Sequence, residues 1–212
     1  PLYKEAYQLA LEHKSIELQQ VSGIMLIKYL CGAGYYSESL EYYNKIKPEI
    51  AFNPSMQNEV VKSYMELNKP DSARIYLAAR LLSERGDKIV LNCMMAETYI
   101  PEGQEDSAFV FLDRAMKSYK EKAKNYQKQG REAILPNCFL SPCYLFADLL
   151  WKKGKIQQAS QYYMIVEPLM KERVKTPVRM ELQIKALTNF SSFCRETKQY
   201  EKALDLLARR DS

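Results

Sequence analysis

Apolar residues recur along this chain in stripes three and four positions apart, and short polar turns close each stripe. Val21, Ile24, Met25, Ile27 and Leu30 form one such stripe, the spacing of one helix face. Ser15 stands before it as an N-cap, with Glu17 in the first turn to suit the helix dipole. Gly32-Ala33-Gly34 ends it, since glycine accepts the left-handed conformation of a helix terminus. A second helix follows from Tyr36 and is predicted to stop near Pro48. Before this pair, Pro1 to His13 reads as a helix with Leu2, Ala6, Leu9 and Ala10 on its apolar side.

The pairing continues. Asn53-Pro54-Ser55 opens a helix through Val60, Val61, Tyr64 and Leu67, and Lys69-Pro70-Asp71 turns it into a return helix over Ala73 to Leu82. Gly86-Asp87 precedes Val90, Met94, Met95 and Tyr99, and Pro101-Glu102-Gly103 leads into a long helix from Asp106 to about Lys128. A longer connection ends at Ser141-Pro142, predicted as N-cap and first helical residue. Leu145, Phe146, Leu149 and Leu150 follow, then the turn at Gly154 and a return from Ile156 to about Arg173. Thr176-Pro177 opens a last outgoing helix through Leu182, Leu187, Phe190 and Cys194, and Ala203 to Arg209 closes the chain.

Composition fits this all-helical picture, with only 7 glycines against many Leu, Ala, Lys and Glu. No apolar run approaches the roughly 18 residues that a membrane span needs, and no secretory signal is visible. The chain opens on Pro1 inside a helical pattern, so it reads as a piece of a longer protein. The net charge of +5 permits an acidic partner without calling for nucleic acid. Cys31, Cys93, Cys138, Cys143 and Cys194 are odd in number and lie among apolar helical positions, as buried thiols do. Unpaired thiols favour the cytoplasm, the alternative being the periplasmic part of a membrane-anchored regulator.

Small residues mark the register. Ser39, Ala73 and Ala108 are 34 and 35 positions apart, and Ala159 and Ala203 follow at 51 and 44. A period near 34 in paired helices is that of tetratricopeptide repeats, and the chain resembles this family over essentially its whole length. The matching residues are Leu26, Leu30, Gly34, Tyr36 and Tyr43; Val60, Tyr64, Ala73 and Leu77; Met95, Ala96, Tyr99, Gly103, Ala108 and Ala115; Phe146, Ala147, Leu150, Gly154, Ala159 and Tyr163; and Phe190, Tyr200, Ala203 and Leu207. Arg80 stands where a small residue is expected, and no repeat carries the family's tryptophan. The resemblance implies an all-α, right-handed α-solenoid of stacked hairpins. The expected divisions are a trailing helix over 1–14 and repeats over 15–52, 53–86, 87–130, 131–175 and 176–212. The Asp-Ser-Ala phrasing of the second and third repeats also resembles tetratricopeptide regions of bacterial sensory and transcriptional regulators.

Catalytic chemistry finds little support. His13 is the sole histidine and sits near a helix end. Cys138 and Cys143 lie five apart without a histidine nearby, whereas zinc sites use closer pairs and four ligands. No phosphate-binding glycine loop and no Ser/His/Asp set can be drawn. No cofactor or metal is expected, and the chain reads as a non-enzyme. Lys117, Lys120, Lys122, Lys124, Lys128 and Arg131 form a basic run that spreads around its helix, as a solvated face does.

A binding groove is the better prospect. The resemblance implies that the first helix of each pair lines the groove. The positions carried over are Ile24, Lys28 and Cys31; Asn58, Lys62 and Met65; Cys93, Glu97 and Ile100; Tyr144, Asp148 and Trp151; and Thr188, Ser192 and Arg195. Lys28 and Lys62 share a repeat position, as do Glu97 and Asp148, so the groove is expected to be basic at one end and acidic further along. Family members that clamp a C-terminal carboxylate use asparagine where Lys28 and Lys62 stand, which argues against that clamp. Tyr144 and Trp151 are candidate anchors. The expected function is a scaffold or sensor holding a peptide segment or neighbouring domain; the alternative is a ligand-responsive input domain of a regulator. Leu204 and Leu207, with no polar capping helix after them, suggest self-association through the final repeat.

Overall fold

A computed structural model describes residues 2–50, 56–83, 87–170 and 177–210, without the side chains of 47–50 and 177–179. Every regular element among the described residues is helical. The α-helices are α1 (Leu2–Glu12), α2 (Ile16–Gly32), α3 (Tyr36–Ile50), α4 (Gln57–Glu66), α5 (Pro70–Leu82), α6 (Lys88–Tyr99), α7 (Glu105–Lys128), α8 (Leu140–Lys152), α9 (Ile156–Val166), α10 (Pro177–Glu196) and α11 (Tyr200–Arg210). A 3-10 turn, Asn137–Phe139, leads into α8, and another, Glu167–Met170, follows α9. The starts expected at Asn53-Pro54-Ser55, Gly86 and Thr176 lie outside the described residues.

One turn recurs. Lys14, Gly34, Asn68, Gly103, Gly154 and Lys198 all have positive φ, between 52° and 83°. In each of these turns the same pair of backbone bonds appears. Asn68 N–H bonds Met65 O and Lys69 N–H bonds Tyr64 O; the later pairs are Gly103 to Ile100 with Gln104 to Tyr99, Gly154 to Trp151 with Lys155 to Leu150, and Lys198 to Arg195 with Gln199 to Cys194. This double bond satisfies the orphan carbonyls of a helix end in the Schellman arrangement. It also reverses the chain within three residues, so the next helix must pack back antiparallel.

Small residues then let the helices approach. Ser39, Ala73, Ala108 and Ala159 are at most 1% exposed. One helical turn later come the large ones: Tyr43, Leu77, Leu112 and Tyr163, each at most 3% exposed. Ser39 donates its hydroxyl to Ile27 O on the facing helix at 3.3 Å, so a polar side chain fits in the interior.

The chain divides into two compact units, Pro1–Asp87 and Lys88–Ser212. In the first, Leu26, Ile27, Leu30, Tyr43, Ile46, Met56 and Val60 form the core, with Tyr43 edge-on to Tyr76 at 5.9 Å. In the second, Phe139, Phe146, Leu150, Tyr163, Phe190 and Phe193 are among the core residues, with Tyr163 stacked on Phe190 at 4.6 Å. Burying each such side chain contributes about 1.5–3 kcal/mol. Within the units the outgoing helices lie side by side: α2 against α4, and α6 against α8 against α10. That adjacency brings residues from different repeats together.

Four local expectations are corrected. On α1 the buried residues are Tyr7 and Ala10, whereas Leu2 and Leu9 are exposed. Tyr7 packs edge-on to Tyr42, and Gly23 leaves the room: a Cβ there would lie 2.5 Å from Ile46 Cδ1 and 3.4 Å from the Tyr7 ring. Helix α3 runs two residues past Pro48. Helix α8 begins at Leu140 with no side-chain cap, so Ser141 is not its N-cap; its hydroxyl bonds Glu97 instead. Helix α9 tightens into the 3-10 turn after Val166, and residues 171–173 of its expected span lie outside the described ones.

Candidate functional site

In the first unit, Lys28 on α2 and Lys62 on α4 both act electrostatically on one carboxylate, Glu59. Glu59 lies one turn before Lys62 on α4 and is half-buried. Burial is the main influence and pushes its carboxyl up; Lys28 and Lys62 both pull it down. One Glu59 oxygen is buried without a hydrogen-bond partner among the described residues. Lys62 Nζ also stands 6.0 Å over the Tyr36 ring, an attraction between ammonium and π-face. Asn58 is exposed beside this group, and Cys31 is buried, its sulfur 3.6 Å from Glu59 O. The arrangement is a half-buried anion that feels two cations, of which Lys62 is exposed to solvent.

In the second unit, α6 and α8 bring Glu97, Tyr144 and Asp148 together. Glu97 accepts a hydrogen bond from Ser141, yet desolvation dominates and pushes its carboxyl up to about 7. Tyr144 is 5% exposed, and its phenol is pushed up to about 12 by burial first, then by Asp148, Glu97 and Glu181. Asp148 is 9% exposed and accepts hydrogen bonds from the Tyr163 hydroxyl on α9 and the Asn189 amide on α10. Its two oxygens therefore fasten three helices together rather than facing a ligand. Desolvation raises its carboxyl in spite of these donors.

Trp151 is half-buried and packs edge-on to Phe193 at 5.7 Å, so much of its ring belongs to the core. Arg195 is exposed near the end of α10. It borders a cleft of about 410 Å³ with Thr188, Ser192, Tyr200, Leu204 and Arg210. Among the described residues, no group of three or more His, Cys, Asp or Glu side chains is placed to hold a metal ion. No helix among them is long and apolar enough to cross a membrane.

Sequence reasoning missed Glu59 as the carboxylate both lysines act on, Ser141 as partner of Glu97, and the Tyr163 and Asn189 donors to Asp148. The available signal was helical spacing: Glu59 is three positions before Lys62 and Ser141 three before Tyr144, so each shares a face with a candidate.

No family model matches the chain, and no curated protein does. Solved structures do, two of them from one organism. Both are of Podosopora anserina, described as a kinesin light chain with nearly identical TPR-like repeats, one of them a point variant. Each is 16% identical to this chain, covers 91% of it and is itself covered over 93%. The TM-scores are 0.57 and 0.56. Neither is described as a bacterial regulator. The chain therefore has the all-α, solenoid-type fold of TPR-like helical repeats.

Proposed function

We propose that this chain is a non-catalytic protein-interaction module, divided into repeats as the sequence suggests, that holds an extended acidic segment of a partner protein or of a neighbouring domain. One observation carries the reading: Lys28 and Lys62, 34 positions apart and on different helices, act on the same half-buried Glu59 carboxylate. Two amines acting on the same spot attract carboxylates of a peptide. Exposed Asn58 adds a neutral hydrogen-bonding group. The TPR-like fold supports protein partners in general. In the second unit, Glu97, Tyr144, Trp151 and Arg195 remain candidates for contact with the same class of ligand, while the internal bonds of Asp148 give it a positioning role.

The test is isothermal calorimetry with a series of acidic peptides of about ten residues. Lys28→Glu combined with Lys62→Glu is expected to weaken binding at least tenfold, about 1.4 kcal/mol, with a flatter salt dependence. Unchanged affinity would remove the reading.

A second reading, a ligand-responsive input domain of a signal-transduction or transcriptional regulator, is favoured by the raised Glu97 carboxyl. Such a group changes charge near neutral pH and so offers a switch.

A further inference from the structure

Two exposed faces of this chain match in length, apolar pattern and charge. The first is on α1. Leu2, Glu5, Leu9 and Glu12 recur three and four positions apart and are all exposed, the spacing of a single helix face. Tyr7 and Ala10, on the opposite side, are buried. Lys4, the lysine of this helix, is paired with Glu38 of α3. The outward face therefore presents two carboxylates alternating with two leucines.

The second face is on α11. Tyr200, Leu204 and Leu207 recur four and three positions apart, and with Arg195 and Arg210 they line the cleft already described. Leu206 points the other way, into the core. The cleft lining contains two arginines and no carboxylate. Asp205, on the same helix, is paired with Arg209, and neither it nor Glu201 lines the cleft.

We infer that α1 of one copy of this chain seats on the cleft between α10 and α11 of a second copy. Both α1 and α11 have 11 residues, about 16 Å of helix, so one can lie along the whole of the other. Leu2 and Leu9 are two turns apart, about 10 Å, and leave water against Tyr200, Leu204 and Leu207. Glu5 and Glu12 have the same spacing and meet Arg195 and Arg210, which fixes the register. The alternatives are disfavoured by charge: cleft against cleft brings the arginines of both copies together, and α1 against α1 brings the carboxylates together. The contact is thus heterologous, and it propagates into a ring or an open chain. One helix face per copy is a small interface of the transient class, so association rises with concentration. It uses neither Lys28 nor Lys62 and stands independently of peptide binding.

The test blocks one face at a time and reads mass by sedimentation velocity. Wild type is expected to gain average mass as concentration rises. Leu2→Lys with Leu9→Lys blocks α1, and Tyr200→Glu with Leu204→Glu blocks the cleft; all four residues are exposed, and circular dichroism checks that each variant folds. Each variant alone is expected to stay monomeric. Their equimolar mixture is expected to form a one-to-one heterodimer and stop there, because only one intact α1 face and one intact cleft remain. A charge exchange is the second readout. Glu5→Arg with Glu12→Arg, and Arg195→Glu with Arg210→Glu, are each expected to associate less than wild type alone, and their mixture to regain association. A wild type that is monomeric at every concentration would overturn the inference. So would a singly blocked variant that associates as wild type does, a mixture of blocked variants that stays monomeric, or charge variants whose mixture associates no better than either alone.

Discussion

At Glu97 a single carboxyl couples stability to pH. Its ordinary value is 4.5, and burial raises it to about 7 in the folded chain. As pH rises from about 4.5, the unfolded chain loses this proton first and the folded chain keeps it. The folded state therefore binds more protons across that window, and stability falls as pH climbs through about 7. Asp148, raised by the same cause, acts with the same sign. Glu97→Gln keeps an acceptor for Ser141 and removes the charge. It is expected to match wild type near pH 4.5 and to exceed it by about 1–3 kcal/mol at pH 8. Urea denaturation at a series of pH values measures this, and parallel curves for the two proteins would contradict it. Arg80 is a contrasting residue: it fills a small-residue position, 6% exposed, where its charge lowers the phenols of Tyr43 and Tyr76 against the larger effect of burial.

At the scale of the element, the turn is the repeated unit. Gly154 has φ 75°, and a Cβ built there would meet nothing within 4 Å. Gly154→Ala therefore tests conformation without packing, and a cost of about 1–2 kcal/mol is expected. Lys198 holds the same turn position at φ 62°. Lys198→Gly removes that strain but frees the unfolded chain, so a smaller gain of about 0.5–1 kcal/mol is expected. Thermal or urea unfolding that gave both substitutions the same sign would break the equivalence of these turns. Neighbouring turns are also tied by charge: Glu105 pairs with Lys153 at 3.1 Å and with Lys155. Lys153 also donates to Gly103 O at 3.2 Å.

At the scale of the whole molecule, apolar surface is left over in each unit. In the second, Leu204 is 67% exposed and Tyr200 59%, beside the cleft bordered by Arg195. In the first, Leu18, Val21 and Met25 of α2 are exposed at helical spacing, so part of the sequence-predicted stripe faces outward while Ile27 and Leu30 face the core. Faces of this kind mark contact surfaces. The expected outcome is concentration-dependent association through α10 and α11, seen by light scattering and abolished by Leu204→Glu with Tyr200→Glu. A monomer across the whole concentration range, or a variant that associates as wild type does, would count against it.

The fold was legible in the sequence because its determinants are local. A Schellman turn is closed by backbone bonds within six residues and needs one left-handed residue, so Gly34, Gly103 and Gly154 announce it. The small positions, Ser39, Ala73, Ala108 and Ala159, carry the repeat because helices cannot approach around a larger side chain. The candidate site was legible only as a set of positions. Asp148 looks like an available groove carboxylate until α9 and α10 bring Tyr163 and Asn189 to it. The influence of both lysines on Glu59, and of Ser141 on Glu97, likewise came only from tertiary structure. Helical periodicity settles which residues share a face of one helix. Which faces meet, and how much water each charge loses there, depends on residues 15 to 45 positions away, and only the packed helices decide that.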